Sequence, residues 1–238
     1  MVEIGGEIQM IKTLVVFTTL LLSSLTYANE AVSDDYYQFA TVSVTPIESP
    51  EIPFYNPIPT VQSTVDLGSV IAVIDQLIAV GKKVWPIIKD GVPVYTTDLA
   101  QGLSVLPRAN MAPQEILNEL SNWSAPRAAQ FKIVYKNKLG LEVVSFVYNI
   151  YFQYNGSLNG TGKYLTSITT QANHISSAWG FDLNAKSELV GISNVGTAKN
   201  PVAAAIIRVS TKASSVLSSV ENGWSYYIDA RGNFKELQ

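Results

Sequence analysis

The chain has 238 residues, 47% of them hydrophobic and 15% charged, with a net charge of −3. That supplies the length and apolar content for a buried core and too little charge for general disorder. There is no cysteine and one histidine, His174, which excludes disulfides, thiolate metal sites, a cysteine nucleophile, lipid attachment through cysteine and any site needing two imidazoles from one chain.

The first element in chain order is a secretory signal. Lys12 precedes an apolar run from Leu14 to Leu22, and Thr26 and Ala28 place small residues where a signal peptidase reads them. The run is about half the ~20 residues that span a bilayer, so cleavage after Ala28 and a secreted or periplasmic product are expected. The signal starts naturally at Met10. Gly5-Gly6-Glu7 just before it is what a purine-rich ribosome-binding site gives when translated. Residues 1–9 therefore read as untranslated leader and the source as bacterial, which a GGAGG-like stretch in codons 5 to 7 would bear out.

Residues 29–64 begin acidic and become Pro-rich, with Pro46, Pro50, Pro53, Pro57 and Pro59 close together. This spacing favours extended backbone, and a linker or strap is expected, with a strand over Tyr36 to Val44. From Leu67 the apolar positions Val70, Ile71, Ile74, Leu77, Ile78, Val84, Trp85 and Ile88 recur at threes and fours, the spacing of one helix face. With Asp66 at the amino end, Lys89 at the carboxyl end and Gly91 and Pro93 as a stop, the pattern predicts an amphipathic helix from Asp66 to Val84, extending with a kink at Pro86 to Lys89. A shorter helix is expected from Pro113 to Leu120, with proline at its first position. Residues 65–125 thus form a helical segment in this reading.

After Pro126 the period becomes two. Phe131, Ile133 and Tyr135 alternate with lysines, and Val144, Phe146, Tyr148, Ile150, Phe152 and Tyr154 share one face. Ile175, Trp179, Phe181 and Leu183 repeat the pattern, and strands follow at Val202 to Thr211 and Trp224 to Asp229. Breaks are expected at Asn137–Gly140, Asn155–Gly162, Gly191–Gly196, Asn222–Gly223 and Arg231–Asn233. Short strands separated this way predict an antiparallel sandwich over 126–238.

Within that region, Gly162-Lys163 suggests a phosphate-binding loop. The pattern wants a glycine where Ser157 stands, a Ser or Thr where Tyr164 stands, and a helix where Tyr164 to Thr170 reads as strand. Asn155-Gly156 and Asn159-Gly160 instead suit hairpin turns. His174 lies in a polar junction, with no Gly-x-Ser-x-Gly elbow anywhere in the chain, so it reads as an ordinary loop histidine. Asp182, Glu188 and Asp229 would make a hydrolytic carboxylate pair only if the fold brought two of them together. Asn122-Trp-Ser, Asn155-Gly-Ser and Asn159-Gly-Thr match the glycosylation pattern and read as polar turns in a bacterial protein.

Charge is unevenly placed. Residues 29–126 carry four basic and eleven acidic side chains, residues 127–238 eleven basic and six acidic. Attraction between the two parts is one reading; a basic face for an anionic lipid or another envelope polymer is the other. Nucleic acid is disfavoured, since the basic residues form no dense run.

The expected fold class is α+β: an antiparallel β-sandwich of the C-terminal ~110 residues, a preceding long amphipathic helix and a Pro-rich N-terminal strap. The order of an amphipathic helix and a Tyr- and Trp-rich sandwich resembles, in architecture, the actinoporin-type pore-forming toxins; no segment matches their membrane-binding motifs, so no residue role is carried over. The leading functional expectation is a non-catalytic secreted protein that binds a cell-envelope or extracellular component through the sandwich, without a cofactor or metal. The alternative is membrane binding or pore formation through the helix. Its candidate membrane- or partner-facing residues are Ile74, Ile78, Lys82, Lys83 and Trp85, and its partner an anionic membrane surface. A cell-wall polymer hydrolase is third. The sequence leaves an oligomer open. If binding is right, exposed Tyr and Trp should gather on one edge or loop end of the sandwich.

Overall fold

The computed structural model describes residues 33–47, 70–94 and 102–237. The expected leader, signal peptide and most of the Pro-rich stretch lie outside the described residues. Within them the chain is two antiparallel sheets packed face to face. β8 (Arg127–Asn137), β9 (Glu142–Leu158) and β10 (Thr161–Ser177) form a meander, flanked by β1 (Phe39–Ile47) on one side and by β6 (Leu103–Pro107), β3 (Leu77–Val80) and β2 (Val70–Ile74) on the other; β7 (Leu120–Ser121) pairs with the far end of β9. The second sheet runs β14 (Phe234–Leu237), β13 (Ser219–Asp229), β12 (Ala203–Ser215), β11 (Phe181–Asn194), β4 (Val84–Lys89) and β5 (Val92–Pro93). The chain crosses between the sheets from β3 to β4, from β5 to β6 and from β10 to β11.

The alternation read after Pro126 sets the core. Phe131, Ile133 and Tyr135 of β8 face Phe146, Tyr148 and Ile150 of β9 on the same buried side. Phe181, Leu183, Ala185, Ser187 and Leu189 of β11 are buried, while Asp182, Lys186 and Val190 between them are exposed. Three hydroxyl pairs bridge the two sheets across the interior, Tyr135 with Thr211, Tyr148 with Tyr226 and Thr170 with Ser187. Each satisfies two polar groups that burial would leave costly.

The α+β expectation is overturned. Among the described residues one α-helix stands, α1 (Pro113–Glu119), with Pro113 at its start as predicted. The long helix of 66–89 is absent: its described residues form β2, β3 and β4, and Asp75-Gln76 is the turn that pairs Ile74 with Leu77. The segment 70–80 is apolar at nearly every position, so spacing of three and four fits it no better than period two. Its Val and Ile residues lose rotamer freedom in a helix and pack well in a sheet. The described residues of 65–125 are thus not a helical segment but supply β2 to β7 and the short α1, and the sandwich is not confined to 126–238. The likeness to actinoporin-type toxins loses the helix that carried it. No helix among the described residues is long and apolar enough to cross a membrane.

Three smaller expectations also change. Ile175 to Leu183 is not one strand, because residues 178–180 turn between β10 and β11. Asn155-Gly156 lies inside β9, where the Trp123 ring covers the bare face of Gly156. Asn222-Gly223 lies inside β13, where the Arg208 side chain crosses Gly223. The strand expected at the chain's start is β1, which pairs along β8 as a sheet edge.

Candidate functional site

The phosphate-loop pattern resolves as a hairpin turn. Asn159 and Gly160 have φ of 50° and 76°, the pair of positive values that an Asn-Gly two-residue hairpin adopts. Lys163 is within β10 and donates to Asn155 Oδ1 at 2.7 Å. His174 is exposed on β10 rather than in a loop.

The three acids do not converge. Asp182 pairs with Ser214 at the start of β11, and Asp229 pairs with Ala204, itself opposite Ser193 near the end of β11. Eleven residues of strand separate those levels, roughly 36 Å, with Glu188 between them; hydrolytic carboxylates stand about 5–9.5 Å apart. Asp229 is buried and closes the turn before β14. Its Oδ1 accepts from the amides of Arg231 and Asn233, its Oδ2 from Tyr227 and the Asn233 side chain. Burial pushes its pKa up, but these hydrogen bonds win and hold it below the usual carboxylate value.

Nor does the structure gather the residues expected on the helix face. Ile74 and Ile78 are half-buried in the β2–β3 hairpin of the first sheet. Lys82 and Lys83 are exposed in the connection between the sheets. Trp85 is in the second sheet opposite Ser187, with its indole N–H enclosed and unpaired. The basic half of the chain is partly neutralised on its own surface by Lys186–Glu188, Lys212–Glu221 and Lys132–Glu142. Lys138–Asp35, at 3.8 Å, links the acidic amino-terminal part to the sandwich.

What the fold does bring together is one end of the sandwich. Three turns meet there: residues 138–141 between β8 and β9, 178–180 between β10 and β11, and 215–218 between β12 and β13. The segment 33–38 stitches them. The Tyr36 carbonyl accepts from Asn137 Nδ2, and its hydroxyl donates to the Trp179 carbonyl. The Tyr37 carbonyl accepts from both Ser215 Oγ and Ser218 Oγ, and its ring packs 6.1 Å from the rings of Trp179 and Phe181.

Each turn is built so that its corner points outward. The amide of Phe181 bonds the Ala178 carbonyl at 3.1 Å, and Gly180 sits at φ 81°. That is the third position of a type II turn, which needs glycine, and a Cβ there would come within 2.7 Å of the Tyr37 ring. Trp179 is left at the corner, 77% exposed. In the second turn, buried Asn137 accepts from the Leu141 amide through Oδ1, which leaves Leu139 and Leu141 each 52% exposed. In the third, Ser215 Oγ accepts from the amides of Leu217 and Ser218, and Val216 and Leu217 stand out at 74% and 52%.

The expected gathering of exposed Tyr and Trp at one loop end is not found: among the described residues Trp179 is the one exposed aromatic there, with half-buried Tyr36 and buried Tyr37 beneath it. Sequence reasoning missed the rest. It placed Trp179 on the inner face of a strand and did not single out Leu139, Leu141, Val216 or Leu217. The available signal was turn chemistry: a leucine before Gly140, a tryptophan before Gly180, and two apolar residues inside the Ser215–Ser218 frame. No known protein family, curated protein or solved structure matches the chain.

Proposed function

We propose that the protein is a secreted, non-catalytic binding protein that meets a cell-envelope or extracellular component with the turn end of its sandwich. The observation that carries this reading is the set of five large apolar side chains, Leu139, Leu141, Trp179, Val216 and Leu217, more than half exposed on three adjoining turns. Scattered exposed apolar residues are ordinary; a rigid group of them marks an interaction surface. The residues beneath are satisfied and packed, so the cluster is held in place before any partner arrives, and little ordering is left for binding to cost.

The test uses the chain from Asn29 and envelopes isolated from a bacterium, membrane and wall together. The protein should sediment with them, and a Trp179→Ser/Leu217→Ser variant should stay in the supernatant while keeping the circular dichroism of the parent. Equal partitioning of the two proteins would refute the reading.

A further inference from the structure

We infer that what the turn end meets is the lipid–water interface of a membrane with uncharged or zwitterionic headgroups. The inference rests on the reading above, that this end is the binding surface, and adds the identity of the occupant.

Four features of the end select lipid. The first is how the tips treat their own backbone. The amides of Gly140, Leu141, Phe181, Leu217 and Ser218 are all bonded inside their turns. Those of Leu139, Trp179, Gly180 and Val216 have no acceptor among the described residues, so the corners reach the headgroup level, where phosphate and water accept, and not the apolar phase, where an unpaired donor is costly. The five bonded amides are unavailable to a peptide strand, which would need them.

The second is shape. The cluster consists of separate corners, not a cleft, and the concavity found beside it is an open notch between residues 180–182 and 214–216. Small ligands take concave sites that enclose most of their surface; a lipid interface takes projections.

The third is area. The five side chains present roughly 500 Å² of apolar surface, short of the ~800 Å² per partner of a stable protein interface but within the range of a functional patch. A fluid interface asks for no matching shape, so that shortfall does not count against it.

The fourth is charge. Three lysines behind the tips pair off, Lys138 with Asp35, Lys132 with Glu142 and Lys212 with Glu221, and exposed Lys136 is offset by exposed Asp34 and Asp182. They leave no positive excess to draw this end to an anionic surface, and Lys138 beside Leu139 limits entry to the headgroup level. Trp179 at the most exposed corner is the residue type that settles at that depth.

The test mixes the chain from Asn29 with vesicles of phosphatidylcholine alone, read by sedimentation and by quenching of tryptophan emission with brominated phosphatidylcholine. Binding and quenching are expected. Trp179→Ser/Leu217→Ser should weaken the binding about ten-fold or more, consistent with the loss of two buried apolar side chains. Leu139→Ser/Leu141→Ser, at a different turn, should do the same and serves if the first variant folds poorly. Neither ~1 M salt, which shrinks the reach of charge to about 3 Å, nor added phosphatidylglycerol should change the result. Retention on lipid-free wall sacculi, lost in both variants, with no vesicle binding would overturn the lipid inference and leave the binding reading standing. Vesicle binding that needs phosphatidylglycerol and vanishes in salt would also overturn it. Binding to neither probe, or binding that both variants retain, would overturn the inference and the binding reading together.

Discussion

The hydroxyls of Tyr148 on β9 and Tyr226 on β13 meet at 2.5 Å in the centre of the sandwich, and both side chains are fully buried. Neither has another hydrogen-bond partner among the described residues, and burial pushes both pKa values far above the ordinary tyrosine value. Tyr148→Phe deletes one oxygen and leaves the other hydroxyl enclosed with nothing to bond. That orphan should cost about 1–3 kcal/mol, whereas replacing both partners by apolar groups of the same shape is nearly neutral. Tyr226→Phe should cost a similar amount. The double variant should therefore be more stable than the sum of the singles implies, with a coupling that approaches the two single costs together, about 2–6 kcal/mol. Urea unfolding followed by tryptophan emission measures this directly, provided the slope against denaturant is unchanged between variants. Single variants within about 0.5 kcal/mol of the parent, the range of an ordinary surface substitution, would refute the reasoning. So would strict additivity in the double variant, because either result means that water or another group already serves these oxygens.

Gly180→Ala forces an L side chain to a φ of 81° and pushes its Cβ against Tyr37. The left-handed conformation alone costs about 1–2 kcal/mol, so a lower urea midpoint is expected together with weaker vesicle binding, since Tyr37 anchors the Ser215–Ser218 turn. Trp179→Ser/Leu217→Ser, by contrast, should leave the urea midpoint within about 0.5 kcal/mol of the parent, because both side chains are exposed. Asp229 has a depressed folded-state pKa, so its carboxylate stabilises fully above pH about 4, the unfolded value, and that contribution is lost as pH falls through the folded value. Asp229→Asn should lower stability at pH 6 and flatten its decline below pH 4; urea midpoints taken from pH 6 down to pH 2 check both.

The parts of this fold that were legible in the sequence are those where burial is one-sided. Residues 144–154 alternate because one face of β9 meets the core and the other is less enclosed, and α1 announced itself through Pro113. Where apolar residues occupy both faces the signal disappears. Residues 70–80 are apolar at all but Asp75 and Gln76, with Val73 exposed and Leu77 buried, so a helical spacing can be counted in a hairpin of strands. Period two also misleads when it runs across a turn: Ile175, Trp179, Phe181 and Leu183 keep even spacing, yet the type II turn at Gly180 sends Trp179 outward and Phe181 inward. Asn222-Gly223 looked like a break because glycine usually marks one, whereas Gly223 is small to let Arg208 lie across the sheet. The candidate site was the least legible part. An exposed leucine and a buried one are the same letter, and Leu139, Trp179 and Val216 become one surface only after the strands between them have been paired.

The two ends of the sandwich solve the same problem with different residues, and the difference separates folding from binding. Both ends must reverse strands and satisfy the amides of the turns. At the far end, a strand's length away along β11 (roughly 40 Å), the work is done by short polar side chains. Asn194 Oδ1 takes the amides of Gly196 and Val202, Asn200 Oδ1 takes that of Gly162, and Asp229 closes its own turn. These are the residues that turn geometry favours, and no further cause is required. At the near end Asn137, Gly180, Ser215 and Ser218 perform the same bonding, yet the corner positions hold Leu, Trp, Val and Leu. Turn geometry does not call for those side chains, and more than half of each lies in water. Apart from the packing of the Trp179 ring on Tyr37, such exposure adds little to stability and raises the tendency to aggregate. On the reading proposed above, a residue choice that folding rewards so little answers to contact with something outside the chain, and the chemistry of that contact is apolar.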